Sequence, residues 1–199
     1  MPVSPTKGNL LNIKKSLNLA KLGYSLLDRK RNILIREMMM LIDDAKAIRG
    51  EIESTYKDAY LALQNANITL GVCENAAKAV PIETGVRVTY RSVMGVEIPH
   101  VSLHPQPIKV YYGFQATNAA LDNAFVLFQR VKKLTATLAE IENSVYRLAN
   151  AIKKTQKRAN ALKNIIIPRF EADSKFITDA LEEKEREDFS RLKIIKKNR

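Results

Sequence analysis

The chain has 199 residues, a formal net charge of +12, one cysteine and no tryptophan. Its first fifteen residues lack the apolar core of a signal peptide, and no window approaches the ~20 uncharged apolar residues of a membrane span. A lone Cys73 excludes an internal disulfide and favours a reducing cytosol, so composition predicts a soluble, basic, mostly helical protein.

The first predicted element is a coiled-coil helix over residues 1–76. Apolar residues recur there at alternating spacings of three and four, which is typical of a helix that packs along a partner helix. We call these positions the N-terminal seam, and they are apolar except for Arg31, Thr55 and Thr69. The seam positions are Leu10, Ile13, Leu17, Ala20, Tyr24, Leu27, Arg31, Leu34, Met38, Leu41, Ala45, Ile48, Ile52, Thr55, Ala59, Ala62, Ala66, Thr69, Cys73 and Ala76.

The pattern changes in a central insert over residues 77–116. The segments "VRVTYRS" and "VEIPHVSL" alternate apolar and polar residues and flank a short turn that contains Gly95. This alternation predicts a β-hairpin over about residues 85–104, with Pro99 confining the second strand to an edge.

A second coiled-coil helix is predicted over residues 117–199. Its seam is apolar except for Thr155, and it consists of Ala124, Leu127, Val131, Leu134, Leu138, Ile141, Val145, Leu148, Ile152, Thr155, Ala159, Leu162 and Ile166. Pro168 interrupts this helix, and beyond it the apolar pattern fits better when it is advanced by one residue, through Phe170, Ser174, Ile177 and Leu181. We therefore expect the helix to continue with a bend or local straightening at Pro168, with Phe170 re-docking the seam.

Two long helices that flank a compact insert predict a mainly α fold, a long antiparallel two-helix coiled coil with a small central β-hairpin insert. Outside the seam, a second apolar row lies near the insert. We call it the outer row, and it contains Tyr56, Tyr60, Leu63, Leu70, Leu121, Phe125 and Phe128. Two interpretations stay open: these side chains cover the hairpin of the same chain, or they dock another protein.

The positive charge is concentrated in segments without acids, including residues 1–27, residues 143–170 and the final "RLKIIKKNR". One interpretation is a solvated coiled-coil face. The other is a surface that meets a negative environment, either nucleic acid or an acidic protein cavity.

Motifs for catalysis are missing from the sequence. It contains no phosphate-binding G-x-x-x-x-G-K-[ST] loop and no G-x-G-x-x-G. His100 and His104 have no supporting ligand cluster, and Cys73 lies on the predicted seam. We therefore expect no catalytic, metal-binding or cofactor-binding residues, and no enzymatic activity of the chain itself.

The two ends of the chain resemble a known family. The opening "PTKGNLLNIKKSLNLAKLGYSLLDRKRNIL", the later elements "IIIPR" and "LEEKERE", and the central "VMGVEIP" are similar to the D subunits of the V-type and archaeal-type rotary ATPases. The resemblance spans essentially the whole chain. It implies a central-stalk, or rotor shaft, component that transmits torque between a catalytic ring of A and B subunits and a membrane proteolipid ring. Such a component would couple ATP synthesis or hydrolysis to H⁺ or Na⁺ transport.

The resemblance also implies partners and a location. The partners are the catalytic A and B subunits, the small F subunit and the funnel-shaped subunit on the proteolipid ring, in a cytoplasmic complex peripheral to the membrane. We assign the outer row to the F subunit. The resemblance links the hairpin, with Arg87, Tyr90, Arg91 and Glu97, to stimulation of ATP hydrolysis. The ring would face a basic tip formed by Lys14, Lys15, Arg186, Arg191, Lys193, Lys196 and Lys197. The alternative function is a basic coiled-coil protein that binds nucleic acid or acts as a scaffold.

Overall fold

A computed structural model describes residues 4–103, 109, 111–113 and 117–197. Its elements in chain order are helix α1 (Lys7–Leu70), helix α2 (Glu74–Ala79), strands β1 (Val86–Val93) and β2 (Val96–Leu103), helix α3 (Ala119–Ala161), a π-helical turn (Leu162–Ile166) and helix α4 (Ile167–Lys197). The chain forms two compact units, one comprising residues 1–33 and 152–199 and the other comprising Leu34–Ala151.

Short-range hydrogen bonds fix where the long helices begin and end. Thr6 caps α1, since its Oγ1 accepts the Asn9 N–H at 3.2 Å, and Asn118 caps α3 through the Leu121 N–H at 3.1 Å. Helix α1 ends at Leu70 because Gly71 takes a left-handed conformation, with φ of 76°. The predicted helix over residues 1–76 is therefore too long: Cys73 precedes the separate short helix α2, and it is not part of the α1 seam.

The helices are antiparallel within each unit. In the unit that contains both chain ends, Lys7 pairs with Glu185 at 3.0 Å and Lys21 pairs with Glu171 at 2.7 Å. The ion pairs between α1 and α3 in the Leu34–Ala151 unit follow the same order, since the residue number on α3 falls as the residue number on α1 rises. The mainly α fold, with two long helices around a β-hairpin, is confirmed.

The predicted seam forms the core of both units. No seam position of the C-terminal helices is exposed, and Ala124, Leu148 and Ala159 are at most 1% exposed. On α1 the seam is buried or half-buried from Leu10 to Ala66. Small residues dominate where α1 passes the insert, and their burial lets the two helix backbones approach closely.

The hairpin is a two-stranded antiparallel sheet in which Val93 pairs with Val96 and Val86 pairs with Leu103. Met94 and Gly95 form its two-residue turn with φ of 51° and 72°, the positive values that a type I′ turn requires. His104, the last residue of the predicted hairpin, lies outside the described residues. No helix in the described ranges combines the length and the unbroken apolar character needed to cross a bilayer.

Candidate partner-binding surfaces

Helix α3 holds the hairpin by the free edge of β2. The side chains of Glu140, Ser144 and Arg147 lie on one face of α3, at helical spacing. Glu140 accepts the Val101 N–H at 2.8 Å, and Arg147 donates to the Glu97 carbonyl oxygen at 3.3 Å. The buried Ser144 hydroxyl donates to the Glu140 carbonyl at 2.7 Å and lies 3.5 Å from the Pro99 carbonyl oxygen. One helix face therefore covers the backbone groups that an isolated strand would leave exposed.

Further polar contacts surround these edge contacts. Arg147 also stacks over the Tyr90 ring at 5.3 Å, His100 Nδ1 lies 3.0 Å from Glu140, and Arg91 lies 3.7 Å from Glu37 of α1. Of the four hairpin residues predicted as a site, Tyr90, Arg91 and Glu97 thus contact the helices of this unit. Arg87 is exposed, and it has no acidic partner among the described residues.

The base of the hairpin is held by an ion pair. Lys132 Nζ lies 2.7 Å from Glu83 Oε2, and the Gly85 N–H donates to the other carboxylate oxygen at 3.0 Å. The hydrogen bond from Lys132 and then that from Gly85 lower the pKa of the Glu83 carboxyl below its usual value.

The space between the hairpin and α3 is incompletely filled. A cavity of about 500 Å³ lies there, lined mainly by apolar side chains from β1, β2, α1 and α3. Tyr56 and Phe128 of the outer row line it, together with Val86, Val101 and Leu103 of the hairpin. These two aromatic side chains therefore face the hairpin of the same chain, as one of the two interpretations of the outer row expects.

The rest of the outer row is divided. Tyr60 stacks on Tyr56 and packs edge-on against Phe128, yet it is 54% exposed. Leu121 is buried, Leu63 is half-buried and Leu70 is exposed at the end of α1. This exposed part, centred on Tyr60, is the portion of the outer row that stays open to a partner.

The half-buried Phe125 is covered by the insert. Its ring packs edge-on against Tyr112, with ring centroids 6.1 Å apart. Tyr112 in turn donates its hydroxyl to Asp122 at 2.7 Å. Burial first, and then the hydrogen bond to the Asp122 carboxylate, raise the pKa of Tyr112 to about 12.

A π-helical turn, Leu162–Ile166, ends two residues before Pro168. The Ile167 N–H donates to the Leu162 carbonyl, five residues back, so the helix gains one residue per turn there. The burial pattern beyond it follows the advanced frame: Ile177 is 0% exposed, whereas Phe176 is 58% exposed. Pro168 itself is exposed and Phe170 is half-buried.

The basic tip lies in the unit that contains both chain ends. All seven of its side chains are exposed. Arg186 and Arg191 pair with glutamates one turn away on α4, while the five lysines have no acidic partner within the described part of the chain. From residue 182 onward every described α4 residue is exposed, including Phe189 and Leu192. This segment offers both positive charge and apolar area.

The described residues contain no cluster of three or more potential metal ligands. The edge-capping residues Glu140, Ser144 and Arg147 were not identified from the sequence. The sequence does contain a pattern that could have identified them, since these polar residues lie at spacings of four and three on the helix flank beside seam residue Ile141.

Comparisons with known proteins agree along the whole chain. The sequence profile of the ATP synthase D-subunit family matches residues 9–197. One of the V-type ATP synthase D subunits, from Thermotoga neapolitana, is 46% identical over 98% of both chains. A-type ATP synthase D subunits from Thermococcus kodakarensis and Methanosphaera stadtmanae are 39% and 38% identical over 98% of this chain, and over 93% and 94% of their own lengths. The chain therefore belongs to the family of ATP synthase D subunits.

Proposed function

We propose that the chain is the non-catalytic central-stalk component of a V/A-type ATP synthase. In this role it transmits torque between a catalytic ring and a membrane rotor, coupling ATP synthesis or hydrolysis to ion transport. The chain itself carries no nucleotide chemistry and is held at the membrane only through its complex. Membership of the D-subunit family over residues 9–197 is the observation that carries this proposal.

The physical properties of the chain suit such a role. A torque-bearing element needs long helices whose mutual packing resists twisting, and the buried seam provides this in each unit. The basic tip, whose lysines have no acidic partner among the residues that the structure describes, suits an electronegative bearing formed by the ring of A and B subunits. No observation favours the nucleic-acid alternative.

Two further partners are part of the proposal. The exposed portion of the outer row around Tyr60 suits the small F subunit, because a half-exposed aromatic cluster is a typical anchor for a protein partner. The funnel-shaped subunit on the proteolipid ring would contact the Leu34–Ala151 unit.

The test compares complexes assembled with and without the chain. We expect a complex that lacks only this chain to hydrolyse ATP without moving ions, and addition of the full chain to that complex to make hydrolysis and transport proportional. If ion transport driven by ATP proceeded without the chain, the proposed role would be wrong.

A matched pair of variants tests the basic tip. Reversal of three tip charges (K193E, K196E, K197E) should weaken binding to the ring and remove most of its salt dependence. Reversal of three exposed lysines elsewhere (K153E, K154E, K157E) makes the same change in net charge and should have a much smaller effect. Equal losses in the two variants would argue against a tip-specific bearing.

A further inference from the structure

The two edges of the hairpin differ. Its two-residue turn makes Val93 and Val96 a hydrogen-bonded pair, so alternate residues back along β1 bond to β2. The backbone groups of the intervening residues point away from the sheet. On β2 these outward groups belong to Glu97, Pro99 and Val101, and all three meet α3 side chains. That agreement fixes the hydrogen-bonding phase of the sheet.

The same phase leaves the outer edge of β1 open. The N–H and C=O groups of Val86, Val88, Tyr90 and Ser92 point outward, and no described residue bonds to them. Seven of the eight β1 residues are exposed, with Val86, Val88 and Tyr90 between 49% and 58%. An open strand edge rich in β-branched residues is a template for one more strand.

We propose that the β1 edge is a strand-addition site for an extended segment of a partner protein in which acidic residues alternate with apolar residues. One face of β1 presents Val86, Val88 and Tyr90, which would lie beside the apolar side chains of the added strand. The other face presents Arg87, Thr89 and Arg91, which would lie beside its carboxylates.

The positive charge of β1 favours an acidic partner strand. Strand β1 contains two arginines and no acid. Arg91 lies 3.7 Å from Glu37 of α1, whereas Arg87 has no acidic partner among the described residues and is the arginine most available to an added strand. Two copies of β1 paired edge to edge would place arginines of both strands on the same face, and such like-charge neighbours are destabilising. The edge therefore disfavours a second copy of this chain and favours an acidic strand. This site follows from the hairpin backbone, so it does not depend on the stalk role.

The experiment uses the full chain and a soluble heptapeptide of alternating glutamate and valine as the probe. Amide hydrogen exchange followed by NMR should show new protection at Val86, Val88, Tyr90 and Ser92 when the peptide is added. The amides of Arg87, Thr89 and Arg91 already bond to β2 and should change less. A peptide in which lysine replaces glutamate should bind at least about tenfold more weakly.

Two N-methylated peptides separate strand addition from simple charge attraction. Successive residues of a strand present their N–H groups to opposite edges. One peptide is methylated on all its valine nitrogens and the other on all its glutamate nitrogens. Only one of these sets faces β1, so one peptide should lose binding and the other should keep it. If both methylated peptides bound as well as the parent, backbone pairing would be ruled out.

A matched pair of protein variants provides the second arm. Val88→Pro removes an outward N–H without removing a bond to β2 and should weaken peptide binding about tenfold, whereas Val88→Ala should bind normally. Protection of the Val101 amide by Glu140 reports that the hairpin is still folded. Unchanged affinity of a folded Val88→Pro variant, protection confined to other elements, or dimer formation through β1 would each overturn the proposal.

Discussion

Deletion of Pro168 should regularise the helix that contains it, whereas Pro168→Ala should not. Seam residues Ile166, Phe170 and Ser174 are separated by successive spacings of four, so this stretch has one residue more than the heptad needs. The π-helical turn accommodates that residue. Deletion of Pro168 restores the alternation of three and four, and we expect continuous α-helix with the π turn gone.

The substitution keeps the extra residue, and packing should then keep the turn. If the helix of the Pro168→Ala variant became regular, the frame beyond it would rotate, exposing Ile177 in favour of Phe176. Loss of Ile177 burial costs about 2 kcal/mol, and the larger Phe176 ring would overpack the space that Ile177 fills. These costs exceed the about 1 kcal/mol of the one hydrogen bond that a π turn omits. We therefore expect Pro168→Ala to gain about 1 kcal/mol in unfolding free energy from its restored N–H, with the π turn intact. The deletion should gain between about 1 and 3 kcal/mol.

Urea unfolding of the full chain measures these free energies, and thiol labelling reports the frame. Each chain carries Cys73→Ser and one new cysteine. A cysteine at position 176 should react with the label and a cysteine at position 177 should be protected, both in the parent and in the two Pro168 variants. Protection that moves to position 176 in Pro168→Ala would refute the balance of energies described above. In the assembled complex, loss of the π turn in the deletion variant should make ATP hydrolysis track ion transport less closely. Unchanged coupling would show that the turn has no role in the complex.

Three further predictions concern the Leu34–Ala151 unit. The Tyr112 hydroxyl should ionise near pH 12. Tyrosinate absorbance measures this ionisation, with the Tyr112→Phe variant as the control, and a pKa at the usual value for tyrosine would contradict the burial of Tyr112. Lys132 and Gly85 lower the pKa of Glu83 below its ordinary value of 4.5. The ionised Glu83 side chain should therefore stabilise the fold in full above about pH 4.5, and this contribution should be lost as the pH falls through the lowered pKa. Glu83→Gln should therefore flatten the acid limb of hairpin stability measured by amide exchange, and an unchanged limb would argue against this ion pair. Met94→Asn should stabilise the hairpin by about 1 kcal/mol in thermal unfolding, since asparagine tolerates positive φ, and a destabilised variant would contradict the turn assignment.

The long-range packing was predictable because one physical rule produces it. Residues at spacings of three and four share one helix face, so the sequence alone identified most of the buried side chains of α1, α3 and α4; Leu121 and Ser144 of α3 are the buried residues that lie off the predicted seam. The same rule identified the change of frame beyond Pro168, because Ile177 and Phe176 differ by one position and only one of them can face the partner helix.

The ends of elements and the polar contacts were less predictable. Helix α1 ends at Leu70 because Gly71 is left-handed, although apolar residues continue at the seam spacing as far as Ala76. The contact of Glu140 with Val101 depends on where the hairpin lies along α3, and no local periodicity specifies that. The outer row showed that Tyr56 and Phe128 are off the seam, but it did not show that the hairpin of the same chain faces them.

A single-molecule rotation assay tests the central claim most directly. A bead attached at Ile82→Cys, a 90% exposed position in the insert, would report movement of the chain within an immobilised, assembled complex that carries Cys73→Ser. We predict unidirectional rotation that starts when ATP is added and stops when it is removed. A complex that hydrolyses ATP at full rate while the bead remains stationary would contradict a stalk role for this chain.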